Sequence, residues 1–248
     1  MEINKHVTDL LKSHRSIRKY KNIGIPDDIL KDILDTAQWA PSHHNVQAYS
    51  IIVIKDKQKK EELSSICAGQ KYVRDCPVFL VFCMDFYRIH LACEMYGEKL
   101  EVDEVENIII GSVDTALVAE NVLIAASAHQ LGGVMIGGIR NDPNKVSQLL
   151  NLPPYTMPIM GMCLGYPDDI PWQKPRLPRQ LAIHSEEYDY DSLKDGLVTY
   201  EDYSAQYYIK RTKGVKTTGW TKQISNYISQ PRRKDLVEYL RKQGFDVK

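Results

Sequence analysis

Apolar positions recur along this chain in two alternating rhythms, one helical and one strand-like. Behind Pro26 and the acidic pair Asp27-Asp28, residues Ile29, Leu30, Ile33, Leu34 and Ala37 fall at helical spacing, which predicts a helix over 26–39. The acidic pair suits the positive end of the helix dipole, and Pro41 stops the run. Residues 49–55 (Y-S-I-I-V-I-K) and 77–83 (P-V-F-L-V-F-C) are short apolar runs rich in β-branched and aromatic side chains. They predict two buried strands, with a charged helix at 58–67 between them. Residues 85–107 are mostly polar and acidic and carry no strand pattern, so they read as a helical excursion or lid.

From 108 to 129 apolar residues cover nearly every face, which predicts a helix buried on most sides. At 1.5 Å per residue it spans ~33 Å. Gly132-Gly133 ends it, and a third strand at 134–139, a short helix at 144–150 and a fourth strand at 157–164 follow. Strands interleaved with helices predict an α+β or α/β sandwich. The stretch 165–179 holds four prolines in fifteen residues, so it reads as an extended arm. An acidic patch at 186–191 and further helices complete the chain. The expected organisation is a core over 1–180 and a C-terminal arm or cap over 181–248 that is not an independent domain.

Composition narrows the class. Hydrophobic residues make up 43% of the 248, enough to build a core and too many for a disordered chain. Lys and Arg number 32, as do Asp and Glu, so the net charge is zero and a generally basic nucleic-acid binder is excluded. The zero is a sum of unlike parts: residues 209–248 hold eleven Lys/Arg against three Asp/Glu, a net of +8, and residues 1–208 carry the opposing −8. The apolar run at 108–131 contains Asp114, Glu120, Asn121 and His129, which argues against a membrane span. No apolar leader core follows the N-terminal M-E-I-N-K-H, so no secretory leader is expected. Five cysteines without C-x-x-C spacing predict reduced thiols in a cytoplasm, with neither a disulfide framework nor a zinc site.

Four segments carry candidate chemistry. In H-R-S-I-R at 14–18, Arg15 and Arg18 would share a face on a helical turn, and with Ser16 they suit a phosphate or polyol. A solvated basic turn is the other reading. A-P-S-H-H-N-V-Q at 40–47 gathers polar groups between a helix stop and a strand, and equally fits an ordinary polar loop. No metal is expected there, because adjacent residues such as His43 and His44 point opposite ways on an extended chain. The glycines at 132–133 and 137–138 fit close approach of a ligand or a tight packing contact, without the G-x-G-x-x-G fingerprint. Lys174-Pro175-Arg176 presents two cations on a stiff backbone, as a phosphate clamp or a surface loop. No activated nucleophile is marked, which fits an enzyme whose cofactor carries the chemistry.

The order of these motifs is distinctive: H-R-S-I-R at 14–18, A-P-S-x-x-N-x-Q at 40–47, A-G-Q-K-Y at 68–72, I-G-G-I-R-N at 136–141, L-G-Y-P and K-P-R-L-P within 164–178, and Y-L-R-K-Q-G-F at 239–245. Over essentially its whole length the chain resembles the FMN-dependent nitroreductase family, in its NADPH-dependent oxygen-insensitive nitroreductase and flavin reductase branch. The resemblance implies an α+β sandwich with a central mixed sheet flanked by helices. It implies an intertwined homodimer, with two FMN molecules at the interface and the apolar helix at 108–129 buried between subunits. Its implied FMN contacts are His14, Arg15, Ser16 and Arg18, then Ser42, Gln70 and Tyr72, then Met135, Ile136, Gly137 and Gly138 against the ring, and Lys174 with Arg176 at the phosphate. Arg18 is the expected cation near the pyrimidine edge, and no side chain is an essential catalytic proton donor. Arg211 and Lys216 match the basic loop that reads the NADPH 2′-phosphate. Lys216 stands where relatives often carry arginine and lacks the bidentate fork, which leaves NADH open as a donor. The implied activity is ping-pong two-electron reduction of nitroaromatics, quinones or flavins by NAD(P)H. The alternative is a flavin reductase that supplies free reduced flavin to a partner.

Overall fold

The computed structural model describes residues 5–102 and 104–246; residues 1–4, where the sequence was read for a leader, Asp103 of the expected lid, and residues 247–248 lie outside the described residues. The chain forms two compact units, Met1–Pro171 with Arg233–Lys248, and Trp172–Arg232.

The first unit runs α1 (Lys5–Lys12), α2 (Asp27–Ala37), β1 (Tyr49–Ile54), α3 (Lys57–Ile66), α4 (Lys71–Asp75), β2 (Val78–Asp85), α5 (Tyr87–Met95), α6 (Val105–Ala128), β3 (Gly132–Ile136), α7 (Pro143–Leu150) and β4 (Thr156–Gly165). The second holds α8 (Leu193–Thr212) and α9 (Trp220–Ile228), and α10 (Leu236–Lys242) belongs again to the first.

The α+β class is as expected. The sheet order is β1-β2-β4-β3, and every neighbouring pair among the described strands is antiparallel rather than mixed. The connections explain the difference. β2 starts beside the end of β1, with Ile54 opposite Phe79, so the α3–α4 link turns back at one end of the sheet. A parallel neighbour would need a crossover to the other end.

β2 is buried along its whole length, because alternate side chains enter two different cores. Val78, Leu80 and Phe82 meet Leu30, Ile33 and Ala37 of α2 and Val118, Val122 and Ala126 of α6. Phe79, Val81 and Cys83 meet Leu63, Cys67, Val73 and Val146 on the opposite face. Gly161 on β4 leaves room for the Phe79 ring: a Cβ there would lie 2.4 Å from Phe79 Cζ. In α10, the buried Tyr239 hydroxyl bonds Ser147 Oγ at 2.7 Å and donates to the Thr156 carbonyl at 3.1 Å, which ties the C-terminal segment to α7 and β4.

Two local expectations change. The third strand stops at Ile136, and Gly137–Asn141 forms a 3-10 turn instead of continuing it. The Arg140 guanidinium donates to the Ile159 carbonyl of β4, which folds the turn back onto its neighbour. Helix α6 starts three residues before the expected 108. It is long and apolar enough to cross a membrane by length and composition, yet it contributes to the core beside α2, with Asp114 at its middle 1% exposed. Its other side shows a row of apolar residues one turn apart, Val105, Ile109, Val113 and Leu117, each 37–51% exposed.

Gly161→Ala is expected to cost about 1–3 kcal/mol by overpacking Phe79. Urea unfolding should show a lower midpoint at unchanged slope; an unchanged midpoint would show that the ring has room to move.

Candidate functional site

The H-R-S-I-R segment carries no helix, unlike the helical turn on which its arginine spacing would place both guanidinium groups on one face. Its backbone joins the edge of β3 through the Ile17 N–H, which donates to the Gly133 carbonyl at 2.9 Å. The Tyr20 hydroxyl donates to the Ile17 carbonyl at 2.6 Å, and burial pushes that phenol far above its usual range. Buried Ile17 anchors the segment between the partly buried Ser16 and the exposed Arg18. Arg15 Nη1 donates to the Ser13 carbonyl at 2.9 Å and Arg18 Nη1 to the Ser16 carbonyl at 3.4 Å. Among the described residues neither guanidinium has a carboxylate partner. His14 precedes them and is partly buried.

A second predicted segment meets this one, and a third meets the second. The Arg18 guanidinium lies 5.9 Å from the centroid of the Tyr72 ring. Upstream of Tyr72, a Cβ added at Gly138 would lie 3.0 Å from Cys67 Cα, so the 67–72 segment also lies against the 3-10 turn. Gln70 sits between these contacts, its carbonyl accepting from Ser64 Oγ at 3.0 Å. Its side-chain Oε1 is buried and has no hydrogen-bond partner. An acceptor in that state costs on the order of 1–3 kcal/mol unless a ligand or solvent donor meets it. Burial pushes the Cys67 thiol up to about 12, against the pull of the Arg233 guanidinium, so no thiolate forms here at neutral pH.

The turn itself presents open backbone. The nearest atoms to a Cβ built on Gly137 are Arg140 Nη2 at 3.6 Å and Arg233 Nη2 at 3.8 Å. Arg233 donates to the Gly137 carbonyl at 2.9 Å and to Asn141 Oδ1 at 3.2 Å. Met135 is partly buried and Ile136 fully buried in the strand leading to it. Sequence reasoning missed Arg233. It lies 96 residues from Gly137 along the chain, and no local pattern separates it from its neighbours Arg232 and Lys234.

Ser42 is not part of this cluster. It leads into β1, at the opposite edge of the sheet from β3. Three strand spacings separate those edges, roughly 14 Å at about 4.8 Å each. The loop after Ser42 is anchored elsewhere: Asp114 accepts the N–H groups of His43 and Ala48, and Arg88 donates to the carbonyls of Gln47 and Tyr49.

In the second unit, residues 172–178 carry no helix or strand. Lys174, Pro175 and Arg176 line a cleft of about 620 Å³ with Tyr200, Tyr208 and Trp220. Tyr200 donates to the Pro175 carbonyl at 3.2 Å, and Arg176 Nη1 to the Lys174 carbonyl at 3.1 Å. Arg211 and Lys216, the two residues matched to the 2′-phosphate, each lie over a tyrosine, Tyr207 at 5.9 Å and Tyr208 at 5.6 Å. The adjacent tyrosines thus support two exposed cations. The unit is pinned by Glu201 of α8, whose carboxylate accepts the Gly219 and Thr221 N–H groups at 2.7 and 2.8 Å at the start of α9.

These features define an α+β fold with guanidinium groups and open glycine backbone beside the β3 edge of its first unit and a cationic, tyrosine-rich second unit. The chain belongs to the nitroreductase family: the family model matches residues 11–166, and the model of the family's C-terminal domain matches 174–248. It is 36% identical to a Cr(VI) reductase of Pseudomonas sp. (strain G-1) over 242 residues, 98% of this chain and 100% of that one. It is 35% identical to an FMN reductase [NAD(P)H] of Bacillus subtilis (strain 168), covering 99% of this chain and 98% of that one. The solved structure of NfrA2 from B. megaterium superposes with a TM-score of 0.96 at 36% identity, covering 99% and 100% of the two chains.

Burial opposes ionisation of Glu201, but the Thr221 hydroxyl and the N–H groups of Gly219, Lys222 and Thr221 outweigh it and hold the carboxyl below its usual value. A lowered folded pKa stabilises the fold above the unfolded value, about 4.3 for Glu, and that stability is lost as pH falls through the folded value. Thermal melts of the wild type should therefore drop more steeply from about pH 5 to about pH 3 than those of Glu201→Gln. Parallel curves would rule out the capping role.

Proposed function

We propose that the chain is an FMN-dependent NAD(P)H oxidoreductase that reduces nitroaromatics, quinones or flavins by ping-pong two-electron transfer. FMN, when bound, would supply the two-electron redox chemistry that links the nicotinamide to the second substrate. The observation that carries the reading is the meeting of three segments at the β3 edge. There Arg15 and Arg18 lack carboxylate partners, Gln70 Oε1 is buried without a donor, and Gly137 leaves backbone open beside Arg140 and Arg233. Guanidinium donors, one open amide acceptor and bare backbone together fit an anionic, flat ligand with its own hydrogen-bonding edge.

In this reading His14, Arg15, Ser16 and Arg18 bind the phosphate and ribityl chain, and Lys174 and Arg176 add charge at the phosphate. A phosphomonoester carries about −1.5 to −2 at neutral pH, so several cations are required. Gln70 and Tyr72 orient the ligand, and Met135, Ile136, Gly137 and Gly138 lie along the ring. Arg18, Arg140 and Arg233 favour negative charge developing on that ring. Arg211 and Lys216 take the NADPH 2′-phosphate.

A cytoplasmic homodimer completes the reading. The exposed row Val105, Ile109, Val113 and Leu117 on α6 supports burial against a second copy. Ser42, at the far edge of the sheet from the cluster, fits a role in the partner's site. Release of reduced flavin to a partner protein is the second reading, favoured by the B. subtilis relative named as an FMN reductase.

Anaerobic titration of the purified protein with NADH and NADPH should bleach one bound flavin per chain; flavin that stays oxidised would leave a carrier instead of an enzyme. Arg176→Ala is expected to cost about 1.5–3 kcal/mol of FMN affinity, at least roughly tenfold, seen as flavin lost on dialysis. Full flavin retention would remove Arg176 from the phosphate. Arg211→Ala should raise KM for NADPH far more than for NADH, and equal effects on the two would discard the 2′-phosphate assignment.

A further inference from the structure

We propose that Asp114 is a positioning residue for FMN, which sets the shape of the 42–48 loop from inside α6; the inference rests on the flavin reading of that loop. Asp114 is 1% exposed in a helix that is otherwise apolar on most faces. Its two oxygens are both used on the loop: Oδ1 accepts the His43 N–H at 2.9 Å and Oδ2 the Ala48 N–H at 3.0 Å. Among the described residues no cation is paired with it. Each carboxylate oxygen is therefore matched to one backbone donor of the loop.

Among the described residues, the stretch between those donors holds the densest run of positive-φ non-glycine residues. His44, Asn45 and Gln47, none of them glycine, hold φ of 47°, 57° and 53°. Side chains at such angles persist only where the surroundings over-determine them. Within the loop, Val46 N–H reaches the His43 carbonyl at 2.8 Å, and Gln47 Nε2 lies 3.3 Å from Asn45 Oδ1. Those contacts close local turns but do not tie the loop to the core. The Asp85 N–H holds the exit through the Ala48 carbonyl at 3.1 Å, and among the described residues Asp114 alone grips entry and exit together, so one carboxylate links residues 43 and 48. Arg88 holds the exit from the other side through the Gln47 and Tyr49 carbonyls, at 3.0 and 2.6 Å. Ser42 immediately precedes the gripped residue, and its presentation follows from that grip. An apolar residue at 114 would suit the helix but leave the buried Ala48 N–H and the part-buried His43 N–H without this acceptor. An amide offers one acceptor oxygen and turns an NH2 group toward the second donor.

The test compares wild type, Asp114→Asn, Ser42→Ala and the Asp114→Asn/Ser42→Ala double variant, with Ile33→Val as a core variant remote from the loop. FMN dissociation constants are measured by flavin fluorescence on deflavinated full-length protein, well below each melting temperature. Amide exchange is followed at His43 and Ala48. The expected result is an FMN Kd at least tenfold higher in Asp114→Asn, unchanged in Ile33→Val, and no worse in the double variant than in the weaker single variant. Non-additivity of that kind marks action through the same loop. In wild type, the amides of His43 and Ala48 should exchange more slowly than those of His44 and Asn45. Wild-type Kd in Asp114→Asn, or additive effects, would overturn the positioning role and leave the flavin reading intact. Should Asp114→Asn fail to fold, fast exchange at His43 and Ala48 in wild type would overturn it equally. A wild-type protein that binds no FMN would overturn the functional reading, and this inference with it.

Discussion

The two-sided burial of β2 is the constraint on which the first unit depends. A strand covered on both faces can satisfy its backbone only through its two neighbours, here β1 and β4, and its side chains only by entering two separate cores. Val78, Leu80 and Phe82 commit one face to α2 and α6, and Phe79, Val81 and Cys83 commit the other to α3 and α7. A slip of one residue would exchange the two sets and mismatch both. That fixed register sets the height of β4, then of β3 beside it, and so the place where the Gly137–Asn141 turn leaves the sheet. Small residues follow from the same crowding, as at Gly161 under the Phe79 ring.

The candidate site is built on what this packing leaves at the β3 edge. Its cations are presented by backbone that is tied down: the Ile17 N–H to Gly133, the Tyr20 hydroxyl to the Ile17 carbonyl, and Arg233 to Gly137. Guanidinium groups held by carbonyls of fixed segments, without carboxylates, keep their charge available to an anion. The second unit treats its cations differently. Arg211 and Lys216 lie over neighbouring tyrosine rings on the exposed side of α8, where they are oriented without being neutralised.

Much of this was legible in the sequence wherever a local rule decided the outcome. The helix behind Pro26 and the continuous apolar run of β2 were readable because periodicity reports burial directly. The motif series from His14 to Phe245 identified the family across the whole chain. The readings that changed were those in which a distant partner overrules local spacing. Arg15 and Arg18 are three apart, as on a helical turn, yet the segment carries no helix and Ile17 pairs with Gly133 instead. Gly137 and Gly138 looked like strand interior, yet the Arg140 bond to Ile159 turns the chain at that point.

By itself, then, the sequence determined the α+β class, the positions of most elements and the family. The tertiary structure decided the antiparallel sheet, the arrival of Arg233 at Gly137 and the grip of Asp114 on the loop after Ser42. The physical reason is the range of the forces involved. Apolar periodicity and backbone preferences act within a few residues and are written into local pattern. A hydrogen bond between residues 66, 71 or 96 positions apart exists only once a packed core has brought its two ends together.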